Sequence, residues 1–286
     1  MGQPRGITRS RTDLDDRRRS GFTIVELLVT MGIIALLVGL LLPTLRAVRQ
    51  AGNQTLEMSA ARQLMVAYNG YANVHLGAVL PGYGEGQALD ASGNPINAIA
   101  ARRYPWRIAP YLDYSFRGLY LNENEDLLEK LENEDPWLYR YAVSLFPSLG
   151  LNTTWIGGDA NESTPTYLET FGRYYITRMA EATRPEKLIV FASARGTDPF
   201  GPLGSGVFEG WFRIQSPYLT TYRWQADEFN PLGPPAHYGF LSPRYGGSSV
   251  VAFLDSHVNL LTKRQLKDMR LWANQATRPD WVLEPQ

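Results

Sequence analysis

The chain has 286 residues with 44% hydrophobic content, enough for one medium domain or two small ones around a real core. It contains no cysteine, which excludes a disulfide scaffold and any thiolate metal site, so whatever folds must do so on packing alone. Its 28 basic and 28 acidic residues cancel overall, but residues 1–21 carry six arginines against three aspartates and so leave the remainder at −3.

The basic stretch comes first. Arg5, Arg9, Arg11, Arg17, Arg18 and Arg19 lead directly into an apolar run, and such a segment is held on the cytoplasmic side by the positive-inside rule. The same arginines would suit a nucleic-acid arm. Interleaved Asp13, Asp15 and Asp16 and the adjoining apolar run speak against it, and no nucleic-acid partner is expected.

From Phe22 to Leu45 the only charged residue is Glu26. An ordinary secretory signal has an apolar core of about 7–15 residues. This run has 24 residues, long enough at about 1.5 Å per residue to span a hydrocarbon core of about 30 Å. A plain membrane anchor accounts for the length, but not for an ionised group that costs about 2.5–3.5 kcal/mol on insertion scales. Glu26 also has a bland reading: in the first turn the helix dipole favours an anion and snorkelling lowers its cost. Further along, Ala35 and Gly39 stand four apart, a spacing that lets helices approach closely in lipid, although glycine is common in membrane helices anyway. Pro43 removes a helical hydrogen bond and predicts a kink.

The sequence Gly21-Phe-Thr-Ile-Val-Glu26 followed by this run resembles the N-terminal signature of the type IV pilin and type II secretion pseudopilin superfamily. The resemblance implies cleavage by a prepilin peptidase between Gly21 and Phe22, N-methylation of Phe22, and a role for Glu26 in assembly. It also fits a proline at the position of Pro43. The freed Phe22 amine of one subunit would be neutralised by Glu26 of a neighbour, so that pairing occurs only on assembly.

Beyond Arg46, Val48, Ala51, Thr55, Met58, Ala61, Met65, Tyr68 and Ala72 recur at steps of three and four, with Arg49, Asn53, Glu57 and Arg62 on other faces. The pattern predicts one continuous helix from about Phe22 to about His75, roughly 80 Å long, closed by Pro81-Gly82. Its Met/Tyr stripe reads as packing surface.

Residues 79–110 read as irregular, with turn signals at Pro81-Gly82-Tyr83-Gly84 and Ser92-Gly93-Asn94-Pro95. Residues 124–134 read as a short, acidic, solvated helix, and Pro136 opens a second helix through Phe146. Residues 187–193 predict a buried strand and residues 206–214 another. Two apolar segments, 248–254 and 257–261, flank Asp255-Ser256 and predict a β-hairpin, followed by a last helix over 263–274. The ending Tyr245-Gly246-Gly247 through Phe253-Leu254-Asp255-Ser256-His257-Val258 resembles that of large planctomycete-type pilin-like proteins, with Ser256 where those have glycine.

The expected fold class is α+β, a long N-terminal helix packed on a C-terminal antiparallel sheet with short helices. The expected organisation is a basic leader over 1–21, a membrane and assembly helix over 22–45, its amphipathic continuation over 46–77, and a soluble domain over 78–286.

Two places offer metal-ligand chemistry. Asp159 and Asn161, with Glu162 and Ser163 after them, place oxygens somewhat as a calcium loop does, though without the downstream pattern of an EF-hand, and an ordinary Asx turn suits them equally. Calcium in the C-terminal region is also what some members of the resembled family bind. Asp255 and His257, two apart, share one side of an extended strand, where local hydrogen bonding competes with a metal role. Catalytic constellations are absent, with no Gly-x-Ser-x-Gly elbow, P-loop or His-Glu-x-x-His helix, so an enzyme is not expected.

The leading expectation is a pilin-like subunit of a type II secretion pseudopilus or type IV pilus-like filament. It would be single-pass in a bacterial inner membrane with its N-terminus cytoplasmic, and its partners would be prepilin peptidase, like or related pilin subunits and an inner-membrane assembly platform. The alternative is a monomeric membrane-anchored extracytoplasmic binding module using the many aromatics. That reading predicts that replacing Glu26 leaves function untouched.

Overall fold

The computed structural model describes residues 23–116, 119–120, 123–198, 200–204, 206–225 and 228–286. The expected leader, Gly21 and Phe22 therefore lie outside the described residues. Contacts divide the chain into two units, one ending at Val48 and one spanning Arg49–Gln286.

Helix α1 runs without a break over Ile24–Val74, with Pro43 inside it. Up to Leu45 its side chains are exposed, Ile24, Leu36 and Leu40 among them, so none of this apolar stretch is used by the fold. Among the described residues it is the one helix long and apolar enough to cross a membrane.

In the second unit the character of α1 changes. Leu64, Met65 and Tyr68 are buried with Ala60, Ala61, Ala67 and Ala72. Each fully buried large side chain contributes about 1.5–3 kcal/mol. The expected stripe holds from Ala61 onward. Val48, Ala51 and Thr55 are exposed instead, while Glu57, expected on a polar face, is fully buried.

After the helix the chain does not stay irregular. Residues 79–110 hold α2 (Ala98–Ala101) and α3 (Tyr104–Ile108), which continues into a 3-10 turn at Ala109–Leu112. The Asn97 side chain caps α2, and Pro105 sits in the first turn of α3, so the local signals are there but too short for a periodicity to show. Helix α4 (Glu123–Glu134) turns Asp126, Glu129, Glu132 and Glu134 outward and buries Leu128 and Leu131. Helix α5 (Pro136–Leu145) is capped by the Asp135 carboxylate, which accepts from the amides of Trp137 and Leu138.

The remaining elements are β1 (Leu149–Asn152), α6 (Pro165–Phe171), β2 (Ile189–Ser193), β3 (Gly196–Thr197), β4 (Val207–Phe208), β5 (Arg213–Ile214), β6 (Ser248–Phe253) and β7 (Val258–Thr262). Five of the strands form one sheet in the order β5-β1-β2-β6-β7. Pairings are antiparallel except β1 with β5, which is parallel, so the sheet is mixed at one edge rather than wholly antiparallel. Central β2 is buried along its whole length, as a strand covered on both faces must be. The α1 side chains cover one face, with Tyr68 meeting Phe191 edge-on at 5.9 Å between ring centroids.

The β6–β7 hairpin forms as expected, in register from Ser248 opposite Thr262 to Ala252 opposite Val258. Residues 206–214 do not make one strand. Val207–Phe208 pairs with β3 in a small second sheet, and Arg213–Ile214 joins the main one. Nor is there a helix over 263–274. Two 3-10 turns, Gln265–Lys267 and Met269–Leu271, take its place, with Asp268 between them capping the second. Leu266, Met269 and Trp272 are buried as an apolar helix face would be, which is why the pattern looked helical.

Candidate functional site

The start of α1 is set by two side chains. The backbone N–H and hydroxyl of Thr23 both donate to Glu26 Oε2, at 2.9 and 2.8 Å, and the Glu26 N–H donates back to Thr23 Oγ1 at 3.2 Å. This is a capping box: a threonine before the helix and a glutamate at its third position satisfy each other's orphan donors. Glu26 Oε1 has no hydrogen bond with any described residue. The carboxylate thus fixes the helix start with one oxygen and presents the other beside the chain's apolar stretch. The Thr30 hydroxyl donates to the backbone carbonyls of Glu26 and Leu27 and leaves that oxygen open.

A second carboxylate lies deeper. Glu57 is 0% exposed. Ser193 Oγ on β2 donates to Glu57 Oε1 at 2.6 Å, the Tyr245 hydroxyl donates to Oε2, and Arg244 Nε lies 3.2 Å from Oε2. Arg244 also donates to Glu209 at 2.8 Å and to the carbonyls of Ser148 and Ala194. An unpaired charge could not stay in this interior, but a carboxylate matched by a guanidinium and two hydroxyls can. Burial, and then the charge of Glu57, push the Tyr245 phenol far above its ordinary range, so it remains a donor. Gln50 and Asn53 extend the same seam: the Gln50 side chain donates to the Arg244 carbonyl at 3.0 Å, and the Tyr245 hydroxyl reaches the Asn53 carbonyl at 3.2 Å. Sequence reasoning missed this group by placing Glu57 off the apolar stripe. The available signal was its phase, since Glu57, Ala60, Ala61, Leu64 and Tyr68 fall on one helical stripe.

The loop at Asp159 and Asn161 is built around arginines. Asp159 is buried, and its Oδ2 accepts from Thr153 Oγ1 at 2.7 Å and from Arg213 Nη1 at 2.8 Å. Its Oδ1 accepts the Asn161 N–H at 3.0 Å, the expected Asx turn. Glu162 takes Thr154, Gln215 and the Arg223 guanidinium. Each carboxylate of this loop already faces a cation of the chain's own.

Asp255 and His257 do come together. His257 Nδ1 lies 2.6 Å from Asp255 Oδ1, and the imidazole stacks on Phe253 at 4.2 Å between centroids. Among the described residues no three His, Cys, Asp or Glu side chains gather as a metal cluster would. Between them Ser256 adopts φ +77°, so the turn needs the left-handed conformation glycine would supply freely. The serine has a use that glycine lacks, because its Oγ accepts from Asn69 Nδ2 of α1 at 2.7 Å.

Residues 16–42 match the prokaryotic N-terminal methylation motif. The chain carries the type IV pilin and pseudopilin signature. That signature covers the capped helix start, Glu26 and most of the exposed apolar half of α1, and it is a mark of structural rather than catalytic proteins. No curated protein and no solved structure matches the chain. The signature therefore speaks for the first unit, and the second unit has to be read from its own residues.

Proposed function

We propose that this chain is a pilin-like structural subunit, cut between Gly21 and Phe22 by a prepilin peptidase and assembled through α1 into a pseudopilus or pilus-like filament. The observation that carries the reading is the half-used carboxylate of Glu26. One oxygen closes the capping box with Thr23, and the other takes no hydrogen bond from a described residue, four residues from where cleavage would create a free amine. A neighbour's amine is the cation that such an oxygen would take in lipid, where an unpaired carboxylate is costly. The exposed apolar side chains from Ile24 to Leu45 supply a surface for lipid before assembly and for other helices after it. The basic leader would stay cytoplasmic, with the second unit outside an inner membrane.

The test is coexpression with a prepilin peptidase, followed by intact-mass measurement of the purified chain. The expected product begins at Phe22 and carries one added methyl group. An unprocessed chain, or a cut elsewhere, sinks the reading. Glu26→Leu should insert in the membrane but fail to assemble. If it assembles normally, Glu26 is not the assembly residue; a parent chain that never assembles, with Glu26→Leu indistinguishable from it, makes a monomeric anchored binding module the better account.

A further inference from the structure

Two oppositely charged surfaces of the second unit form no ion pair with each other among the described residues. Over residues 123–135 the chain holds seven acidic side chains against Lys130. The exposed face of α4 forms a wall of a hollow of about 400 Å³, where Asp126, Glu129 and Glu132 stand with Phe116, Tyr120 and Tyr139. Carboxylates over aromatic rings suit a guanidinium, which pairs with the former and stacks on the latter. The hollow's field is visible in Tyr139, whose phenol is pushed up to about 12 by burial and then by Glu132.

The complementary surface follows β7. Lys263, Arg264 and Arg270 cluster around the turn, where Arg270 already holds Asp268 at 2.6 Å. The turn is preset. Thr262 donates from its N–H and its hydroxyl to Gln265 Oε1 at 2.9 and 2.8 Å, and buried Leu266 anchors it. Arg264 is exposed. Neither Arg264 nor Asp126, Glu129 or Glu132 makes an ion pair with another described residue.

We infer that the acidic aromatic hollow beside α4 receives the Arg264 turn of a second copy of this chain. Such a contact joins two different patches, so it is heterologous and propagates into an open helical array rather than closing as a dimer. The inference rests on the filament reading and adds which surfaces of the soluble unit meet.

The full-length chain has no cysteine, so an introduced pair reports on itself. Differently tagged copies carrying Glu129→Cys and Arg264→Cys are coexpressed in membranes and oxidised. A mixed disulfide dimer is expected. Glu129→Cys with the exposed control Glu284→Cys should give none, and adding Glu132→Lys to the acidic copy should abolish the link. Absence of the mixed dimer, an equal yield with the control, or persistence after Glu132→Lys overturns the proposal. The measurement needs no filament. A correctly processed, filament-forming chain without the link removes this contact alone, whereas a link in a chain that is never processed keeps the contact and removes the filament reading.

Discussion

Ser193 and Glu57 are 136 residues apart in sequence, and the hydroxyl of one donates to the carboxylate of the other at 2.6 Å. The bond ties central strand β2 to α1, and the same serine accepts the Val250 N–H at 2.8 Å, so one hydroxyl joins helix, β2 and β6. Removing either partner leaves buried polar atoms without company. Glu57→Ala should cost about 3–5 kcal/mol, because it takes one of the two carboxylates facing Arg244 and leaves the Ser193 and Tyr245 hydroxyls without their carboxylate acceptor. Ser193→Ala should cost about 1–3 kcal/mol. Urea titrations of both single variants and the double variant check this. The double should lose clearly less than the sum, since both act on one network.

At the hairpin tip, Ser256→Gly relieves a left-handed residue by about 1 kcal/mol and forfeits one hydrogen bond of about that size. Its stability should stay near that of the parent. Asn69→Ala keeps the strain and loses the bond, so it should be the less stable of the two. Thermal melts of the two variants decide the order, and equal loss in both would show that the strain is negligible.

Gly157 has φ +73°, and a Cβ there would fall 2.3 Å from the Leu80 carbonyl oxygen and 2.5 Å from the Gly82 nitrogen. Backbone cannot swing aside as a side chain can. Gly157→Ala should therefore cost more than the roughly 1–2 kcal/mol of the left-handed conformation alone, read as a drop in the denaturant midpoint at unchanged slope.

Folded-state phenols hold their protons here. Burial raises Tyr139 and Tyr141 to about 12 and pushes Tyr68 and Tyr104 well above the ordinary phenol range. Unfolded phenols ionise near 10, so the stability from these groups is full below about pH 10 and is lost as pH rises through the folded values. Phenolate absorbance should thus appear together with loss of far-ultraviolet circular dichroism. Ionisation of most tyrosines near pH 10 with the fold intact would contradict it.

The carboxylate of Asp268 runs the other way. Hydrogen bonds from Arg270 hold it below the usual range. Its contribution is present above the unfolded value of about 3.9 and fades as pH falls through the lower folded one. Asp268→Asn keeps the cap on the following turn and should flatten the acid limb of the melting-temperature profile below about pH 4.

The long elements were legible because they repeat. Twenty-four residues with one charge, a stripe from Ala61 to Ala72 and two apolar runs around Asp255-Ser256 each carry many residues that agree. The short helices over 98–108 and the two turns after β7 are a single turn or little more, below the length at which a period can be told from chance. Glu57 was hidden for another reason. Its partners Ser193, Arg244 and Tyr245 come from distant segments, and nothing near residue 57 announces them. Thr23 lies inside the signature, and its Thr-x-x-Glu spacing was a capping-box signal that went unread.

The buried charge on α1 also bears on how the second unit would answer to tension. Greasy surfaces are non-directional and let a helix slip lengthwise while keeping most of its contact. Displacing α1 by one turn, about 5.4 Å, would carry Glu57 out of reach of Ser193, Arg244 and Tyr245 together. Resistance to sliding is then concentrated at Glu57, backed by the Asn69–Ser256 bond, and pulling along the axis should meet an abrupt yield rather than gradual creep.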